Sequence, residues 1–152
     1  MIDRYEIQEK IGQGGIGAVY RAFDTQLKRE VAIKRMLPGE NGNSQSSGEA
    51  MLKEATTLSA LQHPNIITIY DIGIDDEGGF VVMELLKGET LDQVVQRGVL
   101  TLKDFSEVVG QTMEALIAAE AAGVLHRDLK PTNVMVSWLP SKKFQVKILD
   151  FS

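Results

Sequence analysis

Cysteine is absent from this 152-residue chain, and histidine occurs only twice, as His63 and His126. Without thiols there is no disulfide framework and no thiolate zinc site. The two imidazoles, in the runs HPN and HRD, stand too far apart in the chain to imply a metal pair and read better as loop-ordering groups. A cationic excess is also missing, since 16 Lys and Arg face 21 Asp and Glu for a net charge of −5. Such a balance offers no basic field to nucleic acid or to an anionic membrane, and neither is expected as a partner. No apolar run approaches the ~18 residues of a membrane span. The opening MIDRYEIQEK is too polar for a secretion signal, so cytoplasmic residence is the default expectation. Hydrophobic residues nonetheless make up 43% of the chain, enough for one domain with a real core.

The chemistry is concentrated in short runs. HRDLKPTN, His126 to Asn133, packs a proton acceptor in Asp128, a cation in Lys130 and a metal-binding amide in Asn133 into one loop. A site that moves a phosphoryl group needs all three. Far upstream, IGQGGIGAVY spaces Gly12, Gly14, Gly15 and Gly17 so that backbone amides can approach phosphate oxygens with no side chain in the way. A dinucleotide-binding turn would lead into a helix, whereas Ile16 to Asp24 carries Val19, Tyr20 and Phe23 in a strand-like composition. The glycine run is therefore expected to join two strands as a hairpin flap.

In VAIK, Val31 to Lys34, alternation puts Lys34 on the same strand face as Ala32, beneath that flap. An ammonium there can reach nucleotide phosphates but needs an acidic partner to hold its flexible stem. Glu54 is the best candidate, on a helix predicted over Ser47 to Leu61 from the spacing of Met51, Ala55, Leu58 and Leu61; Glu49 is the neighbouring alternative. The last run, KILDFS, is an apolar strand that delivers Asp150 and Phe151.

Periodicity and turn residues divide the rest. Tyr5 to Met36 reads as three strands, Pro38 to Gly48 as a polar connection, and Ile66 to Ile74 and Gly79 to Leu85 as two strands around the acidic turn Asp75 to Gly78. A short helix is expected over Thr90 to Gln96 and a long one over Thr101 to Ala122. Thr101 and Asp104 resemble a capping box at its start, and Gly123 supplies a C-terminal stop. Phe105, Val108, Val109, Thr112, Met113, Leu116 and Ile117 recur at helical spacing and read as a core face. Strands near Val134 to Val136 and Gln145 to Leu149 follow, joined by the turn Pro140 to Lys143.

Taken in order, IGQGGIGAVY, VAIK, Glu54 followed by HPN, HRDLKPTN and DFS resemble a protein kinase domain, most similar to bacterial Ser/Thr kinases of the eukaryotic type, from Tyr5 to Ser152. The resemblance implies an α+β fold. A five-stranded antiparallel N-lobe with one long helix would occupy residues 1–85, and a hinge at Leu86 to Gly88 would open a partial, mainly helical C-lobe over 86–152. It implies ATP and Mg²⁺, with Mn²⁺ as an alternative metal. Asp128 would orient and accept from a protein hydroxyl, Lys130 would neutralise the migrating charge, and the Lys34–Glu54 pair would position phosphate. Asn133 and Asp150 would be the metal ligands. Around adenine it implies Met83 as gatekeeper, hydrogen bonding of the base with the Glu84 carbonyl as acceptor and with the Leu86 backbone, and walls of Ile11, Val19, Ala32 and Met135. Ribose contact falls to Glu89, Thr90 or Asp92. Lys130, two residues after Asp128, goes with Ser/Thr rather than Tyr specificity.

Two features depart from the pattern. The motif reads DFS where the family has DFG, so Ser152 replaces a glycine whose freedom at positive φ helps the segment reorient. The family's activation segment and later C-lobe helices would begin after Ser152, so the sequence reads as a fragment of a longer domain. An ATP-binding pseudokinase or an interaction module is thus an alternative behaviour for the isolated chain. Uncovered apolar surface on the long helix is expected to promote self-association.

Overall fold

The structure, a computed structural model, describes residues 4–13, 17–36, 52–53, 55–98, 100–124, 130–138 and 144–149. The expected site residues Gly14, Gly15, Glu54, Asp128 and Asp150, and the connections at Pro38 to Gly48 and Pro140 to Lys143, lie outside them. The described residues form two compact units, one drawn from residues up to 60 and 68–85, the other from 61–67 and 86 onward.

The first unit contains strands β1 (Tyr5–Gln13), β2 (Gly17–Asp24), β3 (Arg29–Met36), β4 (Ile69–Asp75) and β5 (Gly78–Glu84), with a helical segment, α1, over residues 55–59. The strands form one antiparallel sheet in the order β1-β2-β3-β5-β4. Alternation along VAIK decides its faces. Val31 and Ile33 point into a cluster with Tyr5, Ala22, Phe80 and Val82, in which Val31, Ile33, Ala22 and Val82 are fully buried. The β2–β3 turn is held by Asp24, whose Oδ1 accepts the N–H groups of Gln26 at 3.0 Å and Leu27 at 3.1 Å. Both Asp24 oxygens also accept from the Arg4 guanidinium, at 2.9 and 3.0 Å, which ties the entry to β1 to this turn. That paired hydrogen bond holds the Asp24 carboxyl down at about 2.

The second unit contains β6 (Glu89–Thr90), α2 (Leu91–Gln96), α3 (Leu102–Ala121), a 3-10 turn (Pro131–Asn133), β7 (Val134–Trp138) and β8 (Phe144–Ile148). The strands pair in the order β6-β7-β8. The capping box at the start of α3 is present: Thr101 Oγ1 accepts from the Asp104 N–H at 3.1 Å, and Asp104 Oδ2 accepts from the Thr101 N–H at 3.0 Å. Gly123, at φ +88°, adopts the left-handed conformation that ends a helix. One side of α3 packs on the small sheet, with Val108 against Val134 and Val146 and with Leu91 at the margin.

Two expectations need correction. The first strand after α1 begins at Ile69, not Ile66, because Ile66 forms a parallel bridge to Ile148 in the second unit. The apolar stripe of α3 is not one core face. Val108, Thr112, Ala115 and Ala119 are buried, whereas Phe105, Val109, Met113 and Ile117 are 45–61% exposed, because the sheet is wide enough to cover only one flank of the helix.

Candidate active site

The glycine run does join two antiparallel strands: Gly12 pairs with Val19 and Gln13 with Ala18, on either side of residues 14–16. This is a hairpin and not the strand-to-helix turn of a dinucleotide fold. Cross-strand partners share a face, so the row Gly12, Val19, Lys34 and Val81 and the row Arg21, Ala32 and Met83 lie on the same side of the sheet. Lys34 is half-buried between Val19 and Val81, while Ala32 and Met83 are buried beside it. Val19, Ala32, Lys34 and Met83 are thereby gathered on the face opposite the core cluster. Ile11 is not gathered in the same way. It sits where the β1–β2 register shifts between Lys10 and Gly12, and it is 45% exposed.

At the end of β5, Glu84 is clamped to Thr68: its N–H donates to the Thr68 carbonyl at 3.0 Å, and its Oε1 accepts from the Thr68 N–H at 2.8 Å. This pins the strand where the chain enters Leu86 to Gly88. Gly88 follows at φ +153°, and a Cβ there would stand 2.5 Å from the Val136 carbonyl oxygen. Only glycine allows β6 to lie this close to β7, where Thr90 pairs with Met135. Met135 also pairs with Lys147, on the face opposite buried Val134 and Val136.

Lys130 precedes the 3-10 turn with extended backbone and is exposed, and Pro131 sets the first φ of the turn. The turn closes with the Asn133 N–H donating to the Lys130 carbonyl at 2.9 Å. The Asn133 carbonyl in turn accepts from the Leu149 N–H at 2.9 Å, so the loop residue expected to bind metal is fastened to the residue immediately before Asp150. Asn133 and Asp150 offer hard oxygen donors of the kind magnesium prefers. Among the described residues no cluster of three or more His, Cys, Asp or Glu could hold a metal ion. His63 serves its loop, its Nδ1 accepting the Asn65 N–H at 3.0 Å.

Sequence reasoning passed over Gln111, whose carboxamide meets both β8 and Asn65. The signal was available: Val108, Gln111, Thr112 and Ala115 follow the i, i+3, i+4, i+7 spacing of the inner face, and a glutamine there calls for partners.

The protein kinase domain family matches residues 5–152. PknA of Mycobacterium tuberculosis, a serine/threonine-protein kinase, is 40% identical over 154 residues, covering 97% of this chain and 35% of that protein. PrkC of Bacillus subtilis, also a serine/threonine-protein kinase, is 36% identical over 149 residues, covering 97% of this chain and 22% of that protein. The chain thus spans about a third or less of these two relatives' length. Among solved structures, the apo form of PpkA-294 matches with a TM-score of 0.84 and 27% identity, over 98% of this chain and 58% of that one. Rad53 1-466 in complex with AMP-PNP matches with a TM-score of 0.82 and 26% identity, over 99% and 39%. An antiparallel glycine hairpin, a lysine on the open face of its sheet and a family match from the first strand to the last residue lead to one conclusion: the chain belongs to the protein kinase domain family.

Proposed function

We propose that the chain carries the nucleotide-binding and catalytic-loop portion of a serine/threonine protein kinase, transferring the γ-phosphoryl group of ATP to a protein hydroxyl. The observation that carries this reading is the complete loop HRDLKPTN, fastened through Asn133 to the strand that leads to Asp150. Lys34, on one face with Val19 and Ala32, would direct its ammonium at nucleotide phosphates, with Glu54 holding its stem. Backbone amides of Gly12, Gly14, Gly15 and Gly17 would line the phosphates from above. The base would lie among Val19, Ala32, Met135 and Ile11, hydrogen-bonded by the Glu84 carbonyl and the Leu86 backbone. Asp128 would accept the proton of the substrate hydroxyl as it attacks, and Lys130 would offset the charge moving with the phosphoryl group. Asn133 and Asp150 would hold magnesium, or manganese in its place, which when bound neutralises charge on the phosphate oxygens.

The partners of this activity are ATP and a hydroxyl-bearing protein, and its ATP supply is cytoplasmic. Among the described residues no helix is long and apolar enough to cross a membrane. The row Phe105, Val109, Met113 and Ile117, repeating every four residues along α3, would let the isolated chain pair with a second copy.

Nucleotide binding is tested by melting the chain with and without Mg-ATP. Stabilisation should reach about 2.7 kcal/mol at roughly 100 times the dissociation constant, and Lys34→Met should reduce it. A folded sample that does not respond to millimolar Mg-ATP would contradict the proposal.

A further inference from the structure

The outer edge of β8 is closed by side chains. Along this edge the Phe144 carbonyl accepts from Gln111 Nε2 at 3.1 Å, and the Val146 N–H donates to Gln111 Oε1 at 2.9 Å. Next, the Val146 carbonyl accepts from Asn65 Nδ2 at 2.9 Å, the Ile148 N–H donates to the Asn65 carbonyl at 2.9 Å, and the Ile148 carbonyl accepts from the Ile67 N–H at 3.1 Å. Asn65 Nδ2 also donates to Gln111 Oε1 at 2.9 Å, which joins the two carboxamides into one unit. Gln111 does for Phe144 and Val146 what the peptide group of a neighbouring strand would do, donating to one residue and accepting from the next but one. Backbone residues 65–67 continue the ladder. The Val146–Asn65 end of the pairing is buried, with Val146 and Ile148 fully inaccessible, and the bonds to Gln111 are part-buried, so losing a partner there is costly.

The strand held this way has one further tie. Immediately beyond Ile148, the Leu149 N–H is bound by the Asn133 carbonyl. The lateral position of β8 therefore decides where Leu149 meets Asn133, the proposed metal ligand. We propose that Gln111, with Asn65, is a positioning residue for the proposed metal ligand Asn133: its carboxamide acts as a surrogate strand that fixes β8 and, through Leu149, the place of Asn133. This rests on the kinase reading of that ligand.

Replacement by leucine keeps the helix-forming tendency and bulk of Gln111 while leaving the Val146 N–H and Phe144 carbonyl unpaired. Replacement by glutamate keeps oxygens for the Val146 N–H and Asn65 Nδ2. The probe is Mn²⁺, titrated by electron paramagnetic resonance in the presence of saturating AMP-PNP, with metal-free AMP-PNP affinity measured separately on the same folded samples. Gln111→Leu should weaken Mn²⁺ binding about tenfold, the scale found for groups that orient metal ligands, and leave metal-free nucleotide affinity unchanged. Gln111→Glu, which keeps the contacts to Val146 and Asn65 but loses the Nε2 donor to the Phe144 carbonyl, should weaken binding by less than Gln111→Leu. Equal Mn²⁺ affinity in all three proteins, or an equal loss in both variants, overturns the proposal. If Gln111→Leu does not fold, Asn65→Ala removes the second carboxamide alone and should also weaken Mn²⁺ binding, and unchanged affinity there overturns the proposal too. Should wild type itself fail to bind Mn²⁺ with nucleotide present, the kinase reading of Asn133 and Asp150 fails, a result distinct from equal affinities.

Discussion

Adding a single methyl group at Gly88 should uncouple the hinge from the small sheet. The alanine Cβ would be 2.5 Å from the Val136 carbonyl oxygen and 3.2 Å from Ser137 Cβ, on a backbone whose φ is +153°. Carbon and carbonyl oxygen tolerate separations of about 3.3 Å, so β6 must move away from β7 by roughly 0.8 Å. A ladder hydrogen bond near 2.9 Å lengthened by that amount lies outside bonding range, at about 0.5–1.5 kcal/mol for each bond lost. Backbone strain adds about 1–3 kcal/mol if the residue keeps its φ. Gly88→Ala should therefore destabilise the chain by about 2–4 kcal/mol and weaken ATP binding, since Met135 reaches the hinge through its pairing with Thr90. Gly98→Ala is the internal control: φ there is +67°, yet a Cβ would meet nothing within 4 Å. It should lose only about 1–2 kcal/mol, from conformation alone. Urea unfolding of both variants with ATP titrations checks this. Equal losses for the two would refute the steric argument, because both positions carry the backbone penalty and only one carries the collision.

Stability in acid should depend on two carboxylates. Hydrogen bonding by Arg35 holds the Asp75 carboxyl at about 2, against 3.8 ordinarily, and Arg4 does the same for Asp24. Since the folded values are depressed, the stability they contribute is present above 3.8 and is lost as pH falls towards about 2. Asp75→Asn should make the drop in urea midpoint between about pH 5 and about pH 2.5 shallower, and an unchanged drop would count against the pair. Thr101→Ala removes the oxygen that accepts the Asp104 N–H and should destabilise the chain by about 1 kcal/mol in thermal or urea unfolding. Ile117→Glu places a charge in the exposed row of α3, so sedimentation should show less self-association than wild type; an identical distribution would mean that this row is not the contact.

Local chemistry made much of the fold legible. Alternation in VAIK was enough to put Lys34 with Ala32 and to bury Val31 and Ile33, because a strand has only two faces. Thr101, Asp104 and Gly123 marked the ends of α3 because capping is decided within a few residues. What escaped depends on distant partners. Ile66 and Ile67 look like the start of a strand, and their pairing with Ile148, far along the chain, is invisible to periodicity. Gly88 looks like one more hinge glycine until the Val136 carbonyl is placed against it. The α3 stripe shows which residues are apolar but not that a three-stranded sheet covers only part of them. Within the candidate site, residue types and order were readable, and the Asn133–Leu149 tie was not, since it requires β7 and β8 to be paired first.

The central claim is most directly tested by single-turnover transfer of γ-phosphate from Mg-ATP to a protein substrate by the full-length protein, comparing wild type with Asp128→Asn and measuring ATP affinity in parallel. Asp128 is assigned to the substrate hydroxyl and not to the nucleotide, so the account predicts loss of transfer by at least about 100-fold with ATP affinity nearly unchanged. Wild-type rates of transfer from Asp128→Asn would contradict the assignment of HRDLKPTN as the catalytic loop.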